Sequence, residues 1–428
     1  MKPNLLKWGR RAVVDVRPLR LVPGYRWLFA GLFFGQAGRQ MTVVAVPFQV
    51  FELTGSTLAV GLLGLTQLVP LLVVSLVGGA LADAVDRRKL LSFSQVILAL
   101  TGVGLLWNAA ADSPLLWPLF VLSGLNAAVS AVDSPARQAV LPGLVGRGLL
   151  PSALALNQTL GNVAKAAVPA AGGLLIATAG LPFSYGAVTV MFVASGILFY
   201  RIPSLPVEGG KGRFNISSIV DGLRYLGSRR LIQAAMLIDL NAMVFGMPTA
   251  LFPAIGTQIL DGDAFTVGLL YAAPGAGALF AALTSGWVAS VRRHGRAVIM
   301  AVIGWGLAIA VFGLTASTAL ALAMLAIAGG ADVVSAIFRN TIVQMSTPDA
   351  FRGRLMSMHI AVVAGGPRLG DLEAGVVASL ASIRFSVVSG GIVCVLGALA
   401  ITRWAPSLAA YSYEPDGGGD DGTVRAKQ

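Results

Sequence analysis

Gly79-Ala80-Leu81-Ala82-Asp83-Ala84-Val85-Asp86-Arg87-Arg88-Lys89-Leu90-Leu91 sets a knot of charge between two long apolar runs, and its reading decides the fold. The flanking runs, 59–82 and 90–110, are each long enough to cross about 30 Å of hydrocarbon as a helix. The residues between them then form a tight, charged turn at a membrane surface. Outward from this turn, apolar runs recur at 27–52, 114–136, 152–178, 181–200, 231–258, 265–289, 296–316, 318–340, 354–380 and 383–403. Each closes on a short polar break. The pattern predicts an all-α membrane protein with twelve transmembrane helices.

Composition agrees. With 56% hydrophobic and 12% charged residues among 428, and a mean hydropathy of +0.79, too little polar surface is left to solvate a globule of this size. The formal net charge of +12 is not a nucleic-acid patch, because the basic residues are dealt out loop by loop. All but four of the 31 Lys and Arg fall in the N-terminal arm, in alternate loops or in the C-terminal tail. The exceptions are Arg39, Lys165 and Arg368 within predicted spans, and Arg384 in an opposite loop, on the side where Asp112, Asp261 and Asp263 also fall. Basic loops mark the cytoplasmic side, so both termini are expected there, in a bacterial plasma membrane, and the span count must be even.

An internal repeat divides the chain. Val60-Gly61-Leu62-Leu63 returns as Val267-Gly268-Leu269-Leu270, 207 residues on, and each is followed by a similar turn, Gly79-Ala80-Leu81-Ala82 and Gly286-Trp287-Val288-Ala289. A weaker echo links Pro142 through Arg147 with Pro348 through Arg354. Two pseudo-symmetric six-helix bundles are the economical reading. The expected boundaries are a cytoplasmic arm at 1–26, an N-terminal bundle at 27–200, a linker at 201–230, a C-terminal bundle at 231–403 and a disordered cytoplasmic tail at 404–428. Within the linker, Ile216, Ile219, Val220, Leu223 and Leu226 share one face at helical spacing, which suits a helix lying on the membrane surface.

Charges inside apolar spans cost about 2.5–3.5 kcal/mol each at a helix centre and therefore nominate functional sites. Arg39 with Gln36 and Gln40, and Lys165 with Asn157, Gln158 and Asn162, offer a cationic, hydrogen-bonding wall to an anionic or phenolic solute. Asp239, Arg368, Asp371 and Glu373 form a second set. Arg368 and Asp371 share a helical face and are expected to pair, either as a structural ion pair or in the transport cycle. Proton coupling calls for a carboxylate in a low-dielectric site, a role expected of Glu373 or Asp239. Asp133 with Arg137, four residues apart, reads as a local gate or brace, and Asp332 with Arg339 as its counterpart in the second half.

Other chemistry finds no footing. His294 and His359 are the two histidines, without a His-Glu-x-x-His or cysteine cluster, so no metal site is expected. Cys394 is the single cysteine, which excludes an intrachain disulfide. Gly209-Gly210-Lys211 lacks the phosphate-loop spacing, so neither ATP nor another cofactor is expected. Asp261-Gly262-Asp263 reads as a turn, and the N-terminal arm shows no removable signal peptide.

The turn resembles that of the major facilitator superfamily in Gly79, Leu81, Ala82, Asp83, Arg87 and Arg88, and departs from it at Ala84 and Asp86. Asp86 is similar to the siderophore-exporter subgroup that includes the enterobactin exporter. So are Ala45-Val46-Pro47, Thr54-Gly55-Ser56, Leu141 through Arg147 and Thr347 through Arg354. Pro169, Gly172 and Gly173 resemble the antiporter kink of the fifth span, with Val168 where that pattern has Gly. The resemblance implies two six-helix bundles working by alternating access, with Gly79, Asp83, Arg87 and Arg88 latching the inner helix ends. It also implies that spans three, six, nine and twelve, which hold no intramembrane charge, flank a central cavity. The function it implies is proton-coupled export of a small organic solute, foremost a siderophore, by a monomer. The alternatives are multidrug or macrolide efflux, and a carrier-fold sensor that moves nothing.

Overall fold

The computed structural model describes residues 15–204 and 224–413, and among them every regular element is helical. Lipid leaves a spanning backbone no water to bond, so helices that satisfy their own backbone are what such apolar runs form. The elements are α1 (Arg17–Leu21), α2 (Pro23–Thr54), α3 (Thr57–Ala84), α4 (Arg87–Ala110), α5 (Trp117–Tyr200), α6 (Arg230–Phe245) and α7 (Phe252–Ala254). There follow α8 (Ala264–Leu283), α9 (His294–Leu314), α10 (Thr318–Met345), α11 (Asp349–Leu380), α12 (Ile383–Trp404) and α13 (Pro406–Ala410). Among the described residues, eight segments are long and apolar enough to cross a membrane.

Local chemistry fixes the ends. Gly55 stops α2 with φ 63°, and its N–H donates to the Phe51 carbonyl. The Asp86 carboxylate caps α4 by accepting from the Arg88 N–H at 2.9 Å. Asp263 does the same for α8 through the Thr266 N–H, and Ser382 for α12 through Phe385. The long α5 is interrupted at Gly146 (φ 69°) and Gly180 (φ 84°), which divide it into three helical stretches. The expected break around Pro142 thus shrinks to the single residue Gly146, with Pro142 and Pro151 both inside helix.

The predicted span 231–258 is not one helix. It breaks after Phe245 at Gly246-Met247-Pro248, restarts as a 3₁₀ turn at Thr249–Leu251, continues through α7 and ends as a π-helix at Ile255–Ile259. Pro248 brings no N–H to the break, and the indole of Trp305 donates to the Gly246 carbonyl at 2.7 Å.

The chain forms two compact units. The first holds the described residues to 55, those from 66 to 204, and Gly262–Ala272; the second holds Ser56–Leu65, 224–261 and 273–413. The division therefore differs from a cut in the linker, because the first turns of α3 and of α8 each count with the unit of the other half. The internal repeat explains why. In the first unit a Cβ on Gly268 would lie 2.6 Å from the Pro169 carbonyl oxygen, and one on Gly173 would lie 2.7 Å from the Gly268 Cα. In the second unit a Cβ on Gly61 would lie 2.7 Å from the Asp371 carbonyl oxygen, and one on Gly375 would lie 2.9 Å from the Gly61 Cα. The repeated Val-Gly-Leu-Leu is thus two equivalent helix crossings, each closed on a pair of glycines. Pro169 and Gly173 take part in the first of these, whereas Gly172 faces Met41 of α2.

Two expectations about the chain's polar segments change. Residues 406–410, assigned to a disordered tail, form α13, with Leu408 fully buried. Tyr413 stacks on His294 with ring centroids 5.2 Å apart, and its N–H donates to the Arg292 carbonyl. The amphipathic stretch Ile216 to Leu223 lies outside the described residues; Leu226, also on that face, packs against a buried cluster around Ile232 and Val343.

Candidate substrate and coupling site

The first unit gathers its charge around Asp133, which is 0% exposed and sits on the first stretch of α5. Arg39 of α2 approaches its Oδ2 at 3.3 Å through Nη1, and Arg137, one turn along α5, approaches the same oxygen at 3.4 Å through Nε. Gln95 of α4 donates to Oδ1 at 3.5 Å, and Arg39 Nε donates to Gln36 at 3.1 Å. One carboxylate thus serves two guanidinia. Arg39 Nη2 and Gln95 Oε1 are buried without a hydrogen-bond partner, and both face Gly35, whose missing side chain leaves them room.

Arg39 was expected on a wall with Lys165, and Asp133 in a separate brace; the structure joins Arg39 to the brace. A buried guanidinium is stabilised by the nearest carboxylate, whatever its distance in sequence. Asn157 accepts from the Tyr25 hydroxyl at 2.9 Å and so braces α2 against α5. Lys165 and Gln158 are exposed, Gln40 and Asn162 are half-buried, and Lys165 forms no ion pair among the described residues.

The second unit buries a tighter pair. Arg339 of α10 and Asp239 of α6 meet at 2.8 Å, 3% and 0% exposed, and Arg339 also donates to Ser335 at 3.2 Å. The approach is close but badly aligned for a hydrogen bond, so the Asp239 oxygens are held by charge. Arg339 therefore has an acidic partner on another helix, Asp239, that spacing along the chain did not anticipate.

Arg368 and Asp371 do not pair. The Arg368 guanidinium turns back to donate to the Ala364 carbonyl on its own helix. Asp371 Oδ1 accepts from the Thr249 hydroxyl and, at 2.9 Å, from the Ala250 N–H. Ala250 is buried, and an unmet buried N–H costs about 1–3 kcal/mol, which favours this capture over an i,i+3 pair. Glu373 is half-buried and has no polar partner among the described residues.

At the charged turn, Arg87 donates to the Ala139 carbonyl at 3.0 Å and Arg88 lies over the Tyr200 ring at 5.1 Å. The Ser204 hydroxyl donates to Asp86 at 2.6 Å and, with the Arg88 N–H, holds that carboxyl below the usual carboxylate range. Gly79 lies in α3, and the side chain of Asp83 lies outside the described residues. Sequence reasoning missed Gln95, Thr249 and Ser335. Gln95, a lone amide in the apolar span 90–110, carried a usable signal; two common hydroxyl residues carried none.

Two helical units that share an internal repeat, with ion pairs inside apolar helices, are what a membrane carrier requires, and the family match places the chain in the major facilitator superfamily. The match to the transmembrane secretion effector family runs over residues 15–414, and the chain belongs to that family. It is a multi-pass membrane transporter, not an enzyme. The enterobactin exporter EntS of Shigella boydii serotype 18 is 29% identical over 388 residues, covering 90% of this chain and 93% of that protein. EntS of Escherichia coli O139:H28 gives the same identity and coverage. Among solved structures, a bacterial homolog of the human lysosomal transporter Spinster superimposes with a TM-score of 0.72 at 14% identity, covering 92% of this chain and 98% of that one.

Proposed function

We propose that the chain is a proton-coupled exporter of an anionic or phenolic small molecule, foremost a siderophore, working by alternating access. The observation that carries the reading is the Asp133 cluster. Among the described residues its second guanidinium has no carboxylate of its own, and the free Arg39 Nη2 beside Gly35 offers a charged donor to a phenolate oxygen. The names of the relatives support the same solute class.

Twelve crossings follow if α5 counts as three and Arg230–Ile259 as one. The 32-residue α2 and α11, each about 48 Å long, supply the two that composition alone passes over. Loop charge then puts both termini in the cytoplasm. Glu373, without a polar partner among the described residues, is the carboxylate best placed to exchange a proton as solute enters. Gln40, Asn162 and Lys165 stand as further contacts for the solute, and Gly79, Asp83, Arg87 and Arg88 as the latch.

The test is siderophore partition between medium and cytosol in iron-starved cells with and without the gene, beside a drug-sensitivity panel. Siderophore retained in the deletant, with unchanged drug sensitivity, is the expected result. Unchanged partition with new drug sensitivity would move the assignment to multidrug efflux.

A further inference from the structure

The outer faces of α4 and of the last stretch of α5, beyond Gly180, carry one pattern. On α4, Lys89, Phe93, Val96, Leu100 and Val103 are exposed at alternating steps of four and three. On α5, Val190, Val193, Ile197 and Tyr200 are exposed at alternating steps of three and four. Each set is a single stripe down its helix.

The two helices pack through the positions just before these. A Cβ on Gly196 would lie 3.3 Å from the Gln95 Cβ, one on Gly102 would lie 2.6 Å from the Thr189 Oγ1, and Arg88 lies over the Tyr200 ring. The partners of 88, 95 and 102 thus descend through 200, 196 and 189, so the helices run antiparallel. Both stripes stand one residue beyond the packed positions, and in an antiparallel pair that step turns both to the same side. They border one apolar groove.

The groove ends in cations. Lys89 continues the α4 stripe and forms no ion pair among the described residues. The Arg88 guanidinium is underused: Nη1 reaches the Ile202 carbonyl only at 3.5 Å, and Nε is buried without a hydrogen-bond partner. The Asp86 carboxylate beside them in sequence is taken by the Ser204 hydroxyl and the Arg88 N–H. Arg201 turns away, over the Trp27 ring at 5.0 Å, and the exposed rings of Trp27 and Tyr200 mark the level of a membrane surface.

We propose that this groove seats one anionic phospholipid, with its phosphate against Lys89 and Arg88 and an acyl chain between the two stripes. On the orientation given above, the lipid belongs to the inner leaflet. From Lys89 to Val103 the helix rises about 21 Å, which exceeds the hydrocarbon depth of one leaflet, about 15 Å. A free phosphate would use the cations alone; the apolar groove that continues from them is what favours a lipid. The site is independent of which solute the carrier exports.

The experiment is native mass spectrometry of the full chain in detergent, titrated with dioleoylphosphatidylglycerol or dioleoylphosphatidylcholine. The parent should bind one phosphatidylglycerol about tenfold or more tighter than phosphatidylcholine. Each basic side chain near an anionic headgroup is worth about fivefold in affinity. Arg88→Gln with Lys89→Gln should therefore bind phosphatidylglycerol about 25-fold more weakly. Arg293→Gln with Arg296→Gln removes the same charge from another turn and should stay within about twofold of the parent. Ile197→Trp, which fills the groove and spares both cations, should weaken binding several-fold. If the Arg88 and Lys89 double variant does not fold, Lys89→Gln alone, at an exposed side chain, should still lose about fivefold. Equal affinity of the parent for the two lipids, or equal losses in the two double variants, would overturn the site. Displacement of phosphatidylglycerol by excess inorganic phosphate, with Ile197→Trp binding as the parent does, would overturn the lipid in favour of a free phosphate.

Discussion

In the first unit one carboxylate, Asp133, serves the guanidinia of Arg39 and Arg137, whereas in the second a single guanidinium, Arg339, serves the single carboxylate of Asp239. The offset that carries Pro142 onto Pro348 also carries Asp133 onto Arg339, so equivalent helices hold opposite charge at equivalent places. The solvation differs too: the first arginines are 16% and 19% exposed, the second 3%. A one-to-one, dry pair holds a fold together, while a surplus, partly wet guanidinium retains capacity for something else. Under the proposed function the two clusters are one scaffold position put to two uses, structure in the second half and recognition in the first.

The harshest way to break that comparison is Arg339→Leu. It strands Asp239 in the core and should cost about 3–5 kcal/mol, read as lost thermal stability of the solubilised protein. Adding Asp239→Leu should recover most of it, and a single variant as stable as the parent would end the claim that this pair is structural.

Arg39→Leu should act differently. Asp133 keeps Arg137, so the stability loss should stay at about 1.5–3 kcal/mol, the worth of a charged hydrogen bond, while export falls tenfold or more. Export that merely tracks the amount of folded protein would show that both clusters are braces.

The finest probe is Arg137→Gln, which gives the first unit the one-to-one stoichiometry of the second. Stability should move by less than about 1 kcal/mol, as for a partly exposed pair. Solute affinity, measured by quenching of intrinsic tryptophan fluorescence, should weaken several-fold; unchanged affinity would remove surplus charge from the account.

The helices were legible because hydrocarbon demands long apolar runs, and the repeat because its glycines cannot be replaced where helices touch. The break at Gly246-Met247-Pro248 was not legible. Pro47, Pro70, Pro169, Pro274 and Pro367 all sit inside continuous helices, so a proline in an apolar run does not announce a break. The partners of the charged residues were not legible. Arg39 and Asp133 lie 94 positions apart, and Asp371 answers to a backbone N–H that has no side-chain letter. Spacing proposes neighbours on one helix; the unmet buried donor elsewhere decides which of them pair.

The packing of Tyr413 on His294 bears on how the protein is handled. A purification tag appended after Gln428 leaves that stacking in place, whereas one substituted from Pro406 onward would strip Leu408 from Gly295 and uncover the entrance to α9. A low yield from such a truncated fusion would report the loss of this strap and say nothing about the carrier's activity.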